Sequence, residues 1–178
     1  MPLLSAENFF QVCWVVSDRD AAAERWIDLG VGPFFVADFD SSFEGANVIH
    51  RGGPGVLRTR VALSHIGGSN LELIEPFGDG PSVYREFVSK GETRFHHFAY
   101  WTDDFEADSC AMNKAGFETV TYRPEGELRF AYFDATKVHG CIFELVERGP
   151  IEKTLSRVAE IAAEWDGRDP IRSLGELE

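Results

Sequence analysis

Cationic side chains are scarce in this sequence. Seventeen lysines and arginines stand against thirty aspartates and glutamates, which leaves a net charge of −13 and a pI near 4.8. So acidic a surface repels a phosphate backbone and an anionic bilayer, so nucleic-acid and membrane-surface roles are set aside. Long apolar runs are missing as well, and nothing approaches the roughly 18 residues that a transmembrane helix requires. The opening Met1-Pro-Leu-Leu-Ser-Ala-Glu7 has no basic n-region and no long apolar h-region, so no secretory leader is expected. Cysteine is limited to Cys13, Cys110 and Cys141, odd in number and far apart. That argues against a disulfide framework or a cysteine-based zinc site and fits reduced thiols in a cytoplasmic protein.

What the chain does hold is enough for a core. Its 178 residues are 44% apolar and 26% charged, so one domain can be buried without staples. Fifteen phenylalanines and four tryptophans argue against disorder. Apolar, β-branched residues from Phe9 to Val16 read as a strand, and Arg19 to Leu29 reads as a helix capped by Ser17 or Asp18 and ended by Gly30. Further strands are expected over 33–39, 56–65 and 70–75, with a flexible Gly-rich loop over 40–55. That loop lacks the Lys-Ser/Thr ending of a phosphate-binding loop. Residues 77–92 read as a linker with one short helix, Ser82 to Val88.

Then the pattern restarts. Gln11-Val-Cys-Trp-Val-Val-Ser-Asp18 lies over His97-Phe-Ala-Tyr-Trp-Thr-Asp-Asp104, and Leu71-Glu-Leu-Ile-Glu75 over Phe143-Glu-Leu-Val-Glu147. The first pair is offset by 86 residues and the second by 72, and the 14-residue difference matches the Gly-rich loop. The expectation is an α+β chain of two βαβββ modules, 8–76 and 94–148, within one domain spanning 1–148. Residues 149–178 should form a C-terminal helix, Glu152 to Trp165, and a loosely held tail.

Strand alternation then sorts the polar residues. Gln11 and His97 share one repeat position, and Glu72 and Glu144 share another, all opposite the bulkier apolar set. Carboxylates on apolar strands are costly unless paired or bound to a cation. The alternatives are solvated faces on half-exposed strands or a metal site built from one amide oxygen, one imidazole nitrogen and two carboxylates. Such a set suits Zn²⁺, Co²⁺, Ni²⁺, Mn²⁺ or Mg²⁺ and leaves two positions of a six-coordinate ion open. Cys13 and Trp101 share the ligand face and are expected in the pocket wall. Arg58 and Arg60 are candidates to point into the site and hold an anionic substrate group. His96 is expected on the opposite face, as a structural residue.

At these residues the sequence resembles the vicinal oxygen chelate (VOC) superfamily, which includes glyoxalase I, methylmalonyl-CoA epimerase, extradiol dioxygenases and bleomycin-resistance proteins. The resemblance covers 8–148. The Gln11, Glu72, His97, Glu144 set looks like that of zinc-type glyoxalase I. The stretches 71–82 and Phe95-His-His-Phe-Ala99 look more like methylmalonyl-CoA epimerase, although epimerases carry His where this chain has Gln11. The resemblance implies a cup-shaped mixed sheet around one divalent metal, a small substrate with vicinal oxygens and a homodimer. It implies proton abstraction beside a metal-chelated carbonyl, with Glu144 the first candidate base and Glu72 the second. An isomerase or epimerase is favoured, with a glyoxalase-type lyase or a metal-free, resistance-type binding protein as alternatives. Ring cleavage is disfavoured, because Gln11 replaces the first His of the iron triad.

Overall fold

The computed structural model describes residues 4–42 and 47–177. Of the loop expected over 40–55, residues 43–46 lie outside the described residues, as do 1–3 and 178. Strand β1 (Phe9–Val15) leads to helix α1 (Arg19–Asp28), and the Asp18 carboxylate caps it by accepting the Ala21 amide at 2.9 Å. Strand β2 (Phe34–Asp40) is followed by the two-residue strands β3 (Ile49–His50) and β4 (Gly53–Pro54). The long hairpin of β5 (Arg58–Ile66) and β6 (Ser69–Pro76) completes the first half. A short helix α2 (Val83–Phe87), capped by Ser82, crosses to the second half. There β7 (Arg94–Thr102), α3 (Phe105–Lys114), β8 (Glu118–Arg123), β9 (Phe130–Asp134), the single turn α4 (Thr136–His139) and β10 (Ile142–Glu147) repeat the plan. The chain closes with α5 (Pro150–Ala163), β11 (Ile171–Ser173) and a 3₁₀ turn over Leu174–Leu177.

Among the described residues, eleven strands join one mixed sheet in the order β11-β2-β5-β6-β1-β7-β10-β9-β8-β3-β4. The halves meet where β1 and β7 pair antiparallel, and each of these two strands pairs in parallel with the last long strand of its own half. Helix α1 covers one outer face through Ala23, Trp26 and Ile27 against Phe34, Ala62, Leu71 and Leu73. Helix α3 covers the other through Phe105 and Met112 against Ala131, Phe133 and Leu145. The alternate residues Val15, Val61, Ile74, Tyr132 and Val146 belong to a third cluster on the inner face, where the sheet curls into an open cup.

Two expectations about loops are corrected. The Gly-rich stretch is a tight hairpin, because Arg51 (φ 50°) and Gly52 (φ 78°) both take the left-handed conformation that a two-residue β-turn requires. Its strand β3 pairs across the molecule with β8, matching Ile49 with Tyr122 and His50 with Thr121. The tail is also ordered. β11 adds to the edge of β2, and the Trp165 ring lies on the backbone of Gly32, where a Cβ would come within 2.8 Å of it. No described helix is long and apolar enough to cross a membrane.

Helix α5 buries Val158 completely and leaves Leu155 only 7% exposed, and Leu155 reaches the cup interior. We expect Leu155→Ala to lower stability by about 2 kcal/mol, the low end for a buried leucine, because its side chain borders space that is already open. Urea denaturation measures this. An unchanged midpoint would show that the C-terminal helix does not hold the cup wall.

Candidate functional site

Gln11, Glu72, His97 and Glu144 come from four adjacent strands at the centre of the sheet, and all four side chains reach the inner face. His97 is fully buried. Its Nε2 lies 3.1 Å from a Glu144 oxygen, 3.6 Å from a Glu72 oxygen and 3.5 Å from Gln11 Oε1. The Gln11 amide is oriented by its neighbour strand. Its Nε2 donates to Asn70 Oδ1 at 2.7 Å, and Asn70 Nδ2 donates to the Ser64 carbonyl at 2.8 Å. That chain of bonds turns the amide oxygen of Gln11 inward. Cys13 joins the cluster, because its sulfur and ligand atoms of Glu72 and His97 all lie within 4.8 Å of one another.

His96 is not on the opposite face, and this corrects the expectation from alternation. Between β1 and β7 the register runs from Cys13↔His97 to Trp14↔Phe95, so His96 is the extra residue of a β-bulge. The bulge turns His96 inward beside His97, with their Nδ1 atoms 2.9 Å apart. The other ring nitrogen of His96 faces the Val83 carbonyl at 3.5 Å. Burial and the neighbouring His97 lower the pKa of His96 well below the usual imidazole value, so the ring is neutral. A carbonyl only accepts, so His96 Nε2 carries the proton and His96 Nδ1 accepts from His97 Nδ1–H. His97 Nε2 is then the ring nitrogen that faces the oxygens of Gln11, Glu72 and Glu144. Three oxygens and a ring nitrogen facing one point call for a cation or a proton between them, and this donor set fits a divalent cation.

Burial raises Glu72 from 4.5 to about 7; His97 opposes the rise, Glu144 reinforces it, and a hydrogen bond with the Cys13 thiol opposes it. The Cys13 thiol is itself pushed well up, by burial first and then by Glu72, so it remains protonated. Two tyrosines that sequence reading missed complete the floor. Tyr132 lies directly opposite Glu144 across the β9–β10 ladder, and Tyr84 comes from α2, with their hydroxyls 2.9 Å apart. Burial raises both hydroxyls well above the ordinary tyrosine range. The cross-strand partner of Glu144 was findable by alternation. Tyr84, on a linker helix, carried no such signal.

Above the cluster the cup holds a cavity of about 190 Å³ with a mostly apolar lining that includes Phe10, Leu57, Val61 and Phe130. The other expected wall residues are placed differently. Trp101 stacks face to face behind Phe10, ring centroids 3.7 Å apart, so Phe10 forms the surface there. Arg58 and Arg60 do not enter the cup, because the inward positions of β5 are Thr59, Val61 and Leu63. Outside, Arg58 pairs with Asp40 at 3.1 Å and Arg60 with Glu75 at 2.7 Å. His50 and His139 also lie away from the cluster. His50 bonds Thr121 and faces Glu86, and His139 packs against Phe117 and Phe143.

A protein-family model described as the glyoxalase/bleomycin resistance protein/dioxygenase superfamily matches residues 10–133. A comparison with curated protein sequences returns no match. Among solved structures, the chain is similar to methylmalonyl-CoA epimerase from Mycobacterium tuberculosis, with a TM-score of 0.56 and 21% identity over 84% of this chain and 92% of that one. It is similar to a hypothetical protein from Bacillus halodurans, with a TM-score of 0.58 and 17% identity over 79% of this chain and 93% of that one. A variant of Streptomyces coelicolor methylmalonyl-CoA epimerase in complex with 2-nitronate-propionyl-CoA gives 0.55 and 22% over 81% and 97%. At these identities the likeness is one of fold.

The raised Glu72 makes stability depend on pH. Between about 4.5 and 7 the folded, cation-free chain holds a proton at Glu72 that the unfolded chain has released, so stability falls as pH rises through that window. Thermal melts of chelator-treated protein should therefore show a higher Tm at pH 5 than at pH 7.5, with a shallower slope for Glu72→Gln. Identical slopes for the two proteins would show that Glu72 is not the group responsible.

Proposed function

The chain belongs to the glyoxalase/bleomycin resistance protein/dioxygenase superfamily, and from that membership we propose an isomerase or epimerase, dependent on a divalent cation, that removes a proton beside a substrate carbonyl. The observation that carries this reading is the convergence of side-chain oxygens and a ring nitrogen from Gln11, Glu72, His97 and Glu144 at the floor of an apolar cavity. These four residues would hold the cation. When bound, it would polarise the carbonyl and acidify the neighbouring C–H.

The remaining work falls to side chains. Glu144 is the first candidate base and Glu72 the second, and both border the cavity. A carboxylate beside the reacting carbon can accept its proton and return it, which is what a general base requires. With one carboxylate on each side of a reacting carbon, a proton removed from one side can be replaced from the other. In the Tyr84–Tyr132 pair one hydroxyl donates to the other, and the second hydroxyl proton is available to an oxygen on which negative charge builds. The apolar walls keep water from the reacting carbon. A glyoxalase-type lyase would use the same proton transfer, and the inward Gln11 oxygen supports it as the second reading. The site offers one imidazole and two carboxylates rather than two imidazoles and one carboxylate, which speaks against ring cleavage.

The test is deuterium uptake from D₂O beside the carbonyl, with methylmalonyl-CoA and small oxo acids as probes and Zn²⁺, Co²⁺, Ni²⁺, Mn²⁺ or Mg²⁺ added in turn. Glu144→Gln should slow exchange by about 10²–10⁴-fold while the protein still binds the cation. Loss in both Glu144→Gln and Glu72→Gln points to two bases, and loss in one points to a single shuttling base. Wild-type protein that binds a probe and exchanges nothing with any metal is a binding protein, and the enzymatic reading then fails.

A further inference from the structure

Among the described residues, Arg123 is the one arginine or lysine in the cavity lining. It ends β8 and is paired across the ladder with Phe130, an inward residue, while its neighbour Tyr122 is paired with Ala131 and packs into the outer cluster. Unlike Arg58, Arg60 and Arg129, which pair with Asp40, Glu75 and Glu147, Arg123 has no ion pair among the described residues. Its Nε is buried and has no hydrogen-bond partner there. A chain with thirty acidic side chains could readily have placed one beside it. Leaving a buried guanidinium N–H unmatched is costly, and the cost is removed when an acceptor enters.

The group is also held in place. Gly126, at φ 110°, carries the β8–β9 turn so close that a Cβ there would lie 2.9 Å from Arg123 Nη2. The backbone thus packs against the guanidinium along its Nη2 edge. Two strand spacings and one two-residue step separate Arg123 from Glu144, so their Cα atoms are about 12 Å apart along the sheet. The carboxylate floor and the guanidinium therefore stand at two ends of one small apolar cavity. Anionic oxygens are repelled by Glu72 and Glu144 at the first end and matched by a planar fork of donors at the second.

The geometry points to Arg123 as an oxyanion subsite, so that the substrate is a small carbonyl compound bearing a carboxylate or phosphate at the end remote from the reacting carbon. This rests on the proton-abstraction reading for the other end of the cavity. It also gives the acidic cup a way to admit an anion, the role that Arg58 and Arg60 do not fill.

The experiment is calorimetric titration of the protein with levulinate, its uncharged methyl ester and dihydroxyacetone phosphate, against wild type, Arg123→Met and Arg123→Lys. Wild type should bind at least one of the two anions more tightly than the ester. Arg123→Met should weaken that anion by about 10–100-fold and leave the ester unchanged, and Arg123→Lys should recover part of the loss because the charge returns without the fork. Ester affinity equal across the three proteins shows that the variants are folded. Preference for levulinate or for the phosphate compound identifies which oxyanion is served. Equal binding of acid and ester to wild type, anion binding unaffected by Arg123→Met, or no binding of either anion at millimolar concentration would overturn the subsite. Deuterium exchange into the bound probe separates the two readings. Charge-selective, Arg123-dependent binding without exchange defeats the enzymatic reading alone, and exchange into acid and ester at equal rates defeats the subsite alone.

Discussion

Two carboxylates converge on one ring nitrogen of His97 deep in the sheet, and much of the molecule is arranged around that electrostatic problem. Glu72 and Glu144 sit on strands that otherwise turn mostly apolar residues inward, among them Ile74, Ile142 and Val146, so little water reaches them. Their repulsion is eased by few groups: His97 between them, the Cys13 thiol against Glu72, and the protons that Glu72 keeps at near-neutral pH. Each supporting contact has a structural cost of its own. The His97 orientation depends on His96, which needs a bulge in β7, and the Gln11 orientation depends on Asn70, which is anchored to the Ser64 carbonyl. The sheet supplies these supports at fixed register, and that is why the cluster sits on central strands rather than on loops.

Much of this arrangement was legible in the sequence because it obeys two simple periods. Strand alternation put Gln11, Cys13, Glu72, His97 and Glu144 on shared faces, and the repeat matched Gln11 with His97 and Glu72 with Glu144. Alternation then failed at His96, since one inserted residue reverses the parity of a strand and leaves no mark in composition. It failed differently for Arg58 and Arg60. Their spacing correctly opposed them to Val61 and Leu63, but both faces of a covered strand are apolar enough that the period alone did not say which one faced the cup. Arg123 was overlooked because it ends a strand whose alternate positions Thr119, Thr121 and Arg123 are polar and resemble an exposed edge.

Non-periodic features were the least readable. The hairpin turn at Arg51-Gly52 places an arginine at positive φ, where turn rules look for asparagine or glycine. The three-residue strand β11 is too short to show alternation, and its place is set by the Trp165 ring seated on Gly32, a contact 133 residues distant in the chain. Tyr84 reaches the site from the linker helix, whose sequence predicts a helix but not what it faces.

The crossing of β3 to β8 bears on how two copies of the chain can and cannot associate. Each half of the fold presents an edge strand, β1 or β7, to the other, and the bulged antiparallel ladder between them is one that the matching strand of another molecule could also form. Repeat proteins of this kind are open to exchanging whole halves between chains. Here the first half reaches over the second through Ile49 and His50, and Arg51 is fastened to both Glu86 and Glu118. An exchange would have to break that strap as well as the central ladder, so the linker between the halves is not a free hinge. The strap thus raises the barrier to a swapped pair, which would have to re-form it as well as break it.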